Sequence, residues 1–240
     1  MNAVLEAAAS CDGEGCPTGP VIALGGEKLL LLPQRAALLP ERAILLVADA
    51  HFGKALSFRR LGVPVPHGTT GETLTRLGLV VRRFGVRRIV FLGDLLHSRH
   101  AHAPASRAAL AAWRGAHVDL ELTLVRGNHD RHAGDPPAAL GIEVVDEPFA
   151  IGGLALGHHP SPLTGRYLLA GHIHPCVTLG GAARDYLRLP CFHFGPTVGV
   201  LPAFGAFTGM QPVRAAPGDR LYAVADERIV AIRSRLHASP

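Results

Sequence analysis

AILLVADAHFGK, residues 43–54, sets an unbroken apolar run directly against Asp49 and His51. Such a run suits a strand covered on both faces. A carboxylate and an imidazole at its end stand where open α/β sheets place their ligand sites, at the carboxyl ends of strands. Side chains two apart on a strand share a face, so Asp49 and His51 are expected to reach one point. The pattern recurs down the chain. RIVFLGDLLH (88–97) runs into Asp94 and His97, and ELTLVRGNHD (121–130) into Asn128, His129 and Asp130. LALGHHP (154–160) runs into His158 and His159, and YLLAGHIH (167–174) into His172 and His174. One such segment carries little weight, because a lone loop histidine is more often solvated than ligating. Five segments in this order, spread over half the chain, describe one site that only a folded domain can assemble.

Around these segments the chain alternates between strand and helix signals. Val21–Leu24 and 28–32 flank Gly25-Gly26-Glu27 as a hairpin. Thr69–Phe84 has Leu74, Leu77 and Val81 at helical spacing, with Gly85 to stop it. Residues 105–115 read as a second helix with Ser106 as its cap, 138–141 as a short helix, and 119–125 and 143–145 as strands. From 177 to about 230 the chain is rich in Gly, Pro and short apolar runs, which predicts strands and turns, closing on a hairpin around Asp226-Glu227. Early βα alternation followed by mostly β predicts an α/β fold with two packed sheets and helices outside. Residues 1–18 read as a loose Gly-rich tail and 19–240 as a single domain.

The 240 residues are 48% hydrophobic and 18% charged, enough apolar material for a core and too little charge for a disordered chain. A net charge of +5 favours an anionic partner such as nucleic acid. Cys11, Cys16, Cys176 and Cys191 match no zinc ribbon or redox pair, which points to reduced thiols in a cytoplasm. No apolar run approaches a membrane span and the first ten residues make a poor signal peptide, so a soluble cytoplasmic protein is expected.

The donor types decide the chemistry. Mixed imidazole, amide and carboxylate ligands suit Mn, Fe, Zn or Co better than Mg or Ca. Asp94, lying between the first and third segments, is the natural bridge between two cations. Two ions about 3.5–4 Å apart activate water and stabilise an in-line displacement at phosphorus. The leaving oxygen then needs a proton, and His129, beside Asn128, has the right chemistry to give it. The glycines at 93, 127 and 171 are expected to let the backbone turn sharply beside the site. The other histidines, His67, His100, His102, His117, His132, His193 and His237, read as solvated or structural.

These five segments resemble the calcineurin-like metallophosphoesterase superfamily. The resemblance implies a four-layer α/β/β/α sandwich, two packed mixed β-sheets flanked by helices, around a dinuclear centre of two divalent ions, Mn2+ foremost. It assigns Asp49, His51, Asp94 and His174 to one ion and Asp94, Asn128, His158 and His172 to the other. The fourth segment leaves His159 as an alternative to His158. The resemblance also makes His129 the leaving-group acid, with Asp130 orienting it, and gives His97 a part in handling substrate. Residues 57–66, SFRRLGVPVP, and 201–209, LPAFGAFTG, narrow the likeness to the PdeM group, the ligase-associated DNA damage response endonucleases. That group implies DNA as substrate and a DNA ligase, a helicase and an exonuclease as company. Arg59, Arg60, Arg99 and Arg131 follow the metal segments closely and are the candidate phosphate contacts. The same centre would equally serve a small-molecule phosphatase or cyclic-nucleotide phosphodiesterase. A non-catalytic scaffold is disfavoured because every ligand position is filled.

Overall fold

The computed structural model describes residues 4–7, 19–65, 68–180 and 186–233. Val4–Ala7, inside the stretch read as a tail, forms an edge strand, β1, against the last strand of the chain. The rest of 1–18 lies outside the described residues, as do His67 and His237.

The first sheet has seven strands in sequence order: β2 (Val21–Leu24), β3 (Glu27–Leu32), β4 (Ala36–Leu39), β5 (Ile44–Val47), β6 (Arg88–Leu92), β7 (Glu121–Val125) and β8 (Ile142–Val145). Pairing is antiparallel from β2 to β5 and parallel from β5 to β8. The second sheet contains β9 (Phe149–Ile151), β10 (Leu154–Leu156), β11 (Tyr167–Ala170), β12 (Pro175–Gly180), β13 (Tyr186–Phe194), β14 (Val198–Val200), β15 (Gln211–Pro212), β16 (Arg220–Ala225) and β17 (Arg228–Arg233). Its order is β1-β17-β16-β13-β14-β11-β10-β9, with β12 branching onto β13 and β15 onto β12.

Period-two alternation explains how two cores share one set of strands. On β5, Ile44 and Leu46 face the second sheet, where they meet Leu154, Leu169 and Phe192. Leu45 and Val47 point the other way, into a helical layer. The continuous apolar runs of β5 and β6 are therefore the mark of strands buried on both sides. Four helices follow strands of the first sheet: α1 (Lys54–Arg60), α2 (Thr69–Phe84), α3 (Pro104–Gly115) and α4 (Asn128–Ala133). Leu74, Leu77 and Val81 of α2 and Leu110 of α3 fill the layer outside that sheet. Gly85 ends α2 in the left-handed conformation at φ 60°. α3 opens on Pro104 rather than on a side-chain cap, and Ser106 is buried within its first turn, not capping it.

The fold is thus α/β with two packed mixed sheets. Its outer layers are unequal. Among the described residues no helix covers the outer face of the second sheet. That face is closed by Val177 and Leu179 of β12 and by Val213 and Ala215, packed on Cys191, Leu221 and Ala223.

Candidate metal centre

The loops leaving β5, β6, β7, β10 and β11 meet at one end of the sandwich. The first two run side by side, zipped by backbone bonds from Asp49 N–H to Gly93 C=O (3.3 Å), His51 N–H to Asp94 C=O (2.9 Å) and Phe52 N–H to Leu95 C=O (2.8 Å). Asp49 and His51 do not reach the site through strand alternation, since β5 has ended at Val47. Instead Asp49, His51, Asp94, His172 and His174 all adopt left-handed backbone, at φ 52°, 47°, 52°, 72° and 52°. Each costs about 1–2 kcal/mol for a residue with a Cβ. Clustered outliers of this kind are a mark of functional sites.

Of the three glycines beside these loops, only Gly93 turns at positive φ (78°). A Cβ there would lie 2.2 Å from His158 Nδ1, so the position needs glycine twice over. Gly127 instead makes room: a Cβ on it would stand 2.4 Å from the Asp94 carboxylate.

Two nests of donors share the Asp94 carboxylate. In one, His51 Nε2 and His174 Nε2 face each other at 3.2 Å, with Asp49 Oδ1 3.5 Å from His174 and Asp94 Oδ2 3.9 Å from His51. In the other, His158 Nε2 lies 2.8 Å from Asn128 Oδ1, 3.0 Å from His172 Nδ1 and 3.4 Å from Asp94 Oδ1. Asp49, His51, Asp94 and His158 are all buried. Burial raises the Asp94 carboxyl above its ordinary range and pushes the His51 imidazole far below its own.

The protein alone does not satisfy these groups. His158 Nδ1 meets the Leu92 carbonyl at 3.1 Å and His174 Nδ1 the Gly209 carbonyl at 3.1 Å, so each uses that nitrogen as donor. Their Nε2 lone pairs are then aimed inward, His158 at two oxygen acceptors, where no proton is left to share. Asp49 Oδ1 is buried with no hydrogen-bond partner. Inward lone pairs, an orphan carboxylate oxygen and backbone-oriented imidazoles are the donor set of a divalent cation site. Groupings of three potential ligands overlap there: Asp49, His51 and His174; Asp49, Asp94 and His158.

His129 sits at the rim. Its N–H donates to Asp94 Oδ1 at 2.9 Å, its Nδ1 bonds the His97 carbonyl at 2.8 Å, and its Nε2 is 3.9 Å from Asp94 Oδ2. The His97 ring stacks on it with centroids 4.8 Å apart. Burial, with Lys54 nearby, pushes His97 down to about 4. The expectation that Asp130 orients His129 is corrected. Asp130 is fully buried and spends its oxygens on the N–H groups of Leu96 and Gly127, both at 2.9 Å. It joins two loops, and burial pushes its carboxyl up to about 6.

His158, not His159, occupies the interior position. His159 Nδ1 bonds Glu147 Oε1 at 2.7 Å, while Glu147 Oε2 accepts the N–H of both histidines at 2.7 and 2.9 Å. Glu147 is thus the fastener of the fourth loop, and nothing in its own surroundings in the sequence marks it. Lys54 is also new. It lies near Asp49 and Asp94, and its proximity to AILLVADAH could have drawn notice. Among the phosphate-contact candidates, Arg60 and Arg99 are exposed, Arg59 reaches the Val65 carbonyl at 3.4 Å, and Arg131 is engaged by Asp146 at 3.4 Å. Other histidines have local partners: His102 on Ala133, His117 on Trp113, His132 on Asn128 and His193 on Asp219.

The crystal structure of Pseudomonas putida nuclease MPE matches with 43% sequence identity and a TM-score of 0.78, covering 88% of this chain and 98% of that one. The phosphoesterase Yfce from E. coli overlaps at 13% identity and a TM-score of 0.39, covering 79% and 97%, too loose a likeness to bear on function. No protein-family model and no curated relative matches the chain.

Proposed function

The chain belongs to the metallophosphoesterase family, and from that premise we propose that it is a dinuclear metal-dependent phosphodiesterase that cleaves DNA as an endonuclease. The observation that carries the reading is the buried Asp94 carboxylate, shared by two nests of inward-aimed donors. Asp49, His51, Asp94 and His174 would hold one ion, and Asp94, Asn128, His158 and His172 the other, with Mn2+ the preferred metal. The ions would supply an activated water and positive charge for the displacement at phosphorus.

The chain's own residues supply the rest. With Nδ1 committed to the His97 carbonyl, His129 exchanges a proton at Nε2, the atom that faces Asp94 and the open side. That atom delivers a proton to the departing oxygen. The stacked His97 ring covers one face of His129 and holds it in place. Arg60 and Arg99, exposed beside the first two metal loops, contact flanking phosphates. A 43% identical nuclease and a net charge of +5 support nucleic acid as substrate. A place beside a DNA ligase, helicase and exonuclease in repair completes the reading.

Purified protein with Mn2+ should cut plasmid and oligonucleotide DNA as well as bis(p-nitrophenyl) phosphate. Cleavage of the small diester with every DNA substrate intact would replace the nuclease with a small-molecule phosphodiesterase.

A further inference from the structure

A cavity of about 670 Å³ opens between α2 and the second sheet, and none of the candidate metal ligands lines it. Arg35 enters from the turn between β3 and β4. Arg76 and Arg83 enter from α2, seven residues apart and so on one face of the helix. Asp226 and Glu227, on the turn between β16 and β17, form another part of the wall.

Carboxylates stand near the arginines, Glu72 close enough to act on Arg76, but none closes on them. Among the described residues none of the three forms an ion pair with a carboxylate. Arg76 donates to the Phe204 carbonyl and lies 4.4 Å over the Phe204 ring, but its Nε has no partner. Gln34 Oε1, on the same wall, is likewise buried without one. Burial lowers both Arg35 and Arg76, and the charge of Arg35 pushes Arg76 further down, to about 10. Two half-buried cations that repel each other are costly unless an anion joins them. Guanidinium forks match phosphate in shape and charge. The volume exceeds what a bare phosphate needs and falls in the range of small-molecule pockets. Asp226 and Glu227 offer acceptors for sugar hydroxyl or base amino donors.

We propose that this cavity is a phosphate-binding site, taking a phosphate ester borne on a nucleoside-sized group, with the phosphate on Arg35, Arg76 and Arg83. The phosphate comes from a free nucleotide or from a nucleic-acid strand. Its nearest α2 arginine, Arg76, lies three residues, about 5 Å along the helix, from Thr73, which lines a small recess with His51 and Lys54. The site does not depend on the hydrolytic reading, and metal-free protein keeps the two apart.

The test uses EDTA-treated protein, with 5′-AMP and a 12-mer DNA oligonucleotide as probes in titration calorimetry. Wild-type protein is expected to bind at least one probe, and Arg35→Gln and Arg83→Gln each to weaken that binding about tenfold or more. Loss confined to 5′-AMP identifies a free nucleotide, and loss of the oligonucleotide identifies a strand phosphate. Failure of wild-type protein to bind either probe, or equal binding by the variants, would overturn the proposal. In phosphate-free buffer both variants should melt no lower than wild type, Arg35→Gln because its repulsion with Arg76 is relieved and Arg83→Gln because Arg83 is exposed. Lowered melting of both would show that the arginines hold the fold instead of a ligand, and would overturn it as well.

Discussion

Asp94 and His129 illustrate how differently two neighbours can matter. Asp94 faces His51 on one side and His158 on the other, and it accepts the N–H of His129. Asp94→Asn keeps the shape and the backbone bond but removes the shared negative charge. Loss of both metals, or of all turnover, is expected, read by metal analysis and by hydrolysis of bis(p-nitrophenyl) phosphate. Retention of two metals with normal turnover would refute the bridge. His129 stands outside the two proposed ligand sets, so His129→Ala should keep the metals and slow hydrolysis by about 10²–10⁴-fold. The loss should be largest for poor leaving groups, since those depend most on a proton. An equal loss for p-nitrophenol and alkoxide leaving groups would remove the acid role.

At the scale of elements, the strands were legible and the loops less so. Apolar runs named β5, β6, β10 and β11 because a strand buried on both faces has few other spellings. Leu74, Leu77, Val81 and Gly85 marked α2 to its ends. The spacing of Asp49 and His51 announced a shared target, but for the wrong reason: strand alternation was expected, and paired left-handed turns were found. Such turns depend on neighbouring loops that sequence spacing does not encode. Asp130 was misread for the same reason, since its two bonds run to Leu96 and Gly127 and only the fold brings those N–H groups together. Glu147 was missed because its work is to hold His158 and His159, reached through the pairing of β9 and β10. The corrected role of Asp130 makes a prediction. Asp130→Ala strands two buried donors at about 1–3 kcal/mol each. A drop of about 2–6 kcal/mol in unfolding free energy by urea titration is expected, with metal content reduced through the slackened loops. A stability unchanged within error would mean that other groups satisfy those N–H donors.

The whole molecule is organised so that its centre joins the two sheets. Asp49, His51, Asp94 and Asn128 come from loops of the first sheet, and His158, His172 and His174 from loops of the second. Without a cation, the seam between the sheets ends in the His158 lone pair set against Asn128 Oδ1 and in an orphan Asp49 oxygen. A metal that binds only the folded state therefore stabilises the sandwich as a unit, by RT ln(1 + [L]/Kd), about 2.7 kcal/mol when the ion is at 100 times its Kd. For a chain of 240 residues that corresponds to a rise in Tm of about 5–10 °C. EDTA-dialysed protein should accordingly melt at a temperature that climbs with added MnCl2, and hydrogen exchange should slow together in 49–52, 93–97, 157–160 and 171–174. Asp94→Asn should flatten the climb, because neither nest can then hold its ion with full charge. Were the variant to show the same climb, the stabilising ion would be bound somewhere else on the protein, and the convergence of the five loops would have to be explained without a shared carboxylate.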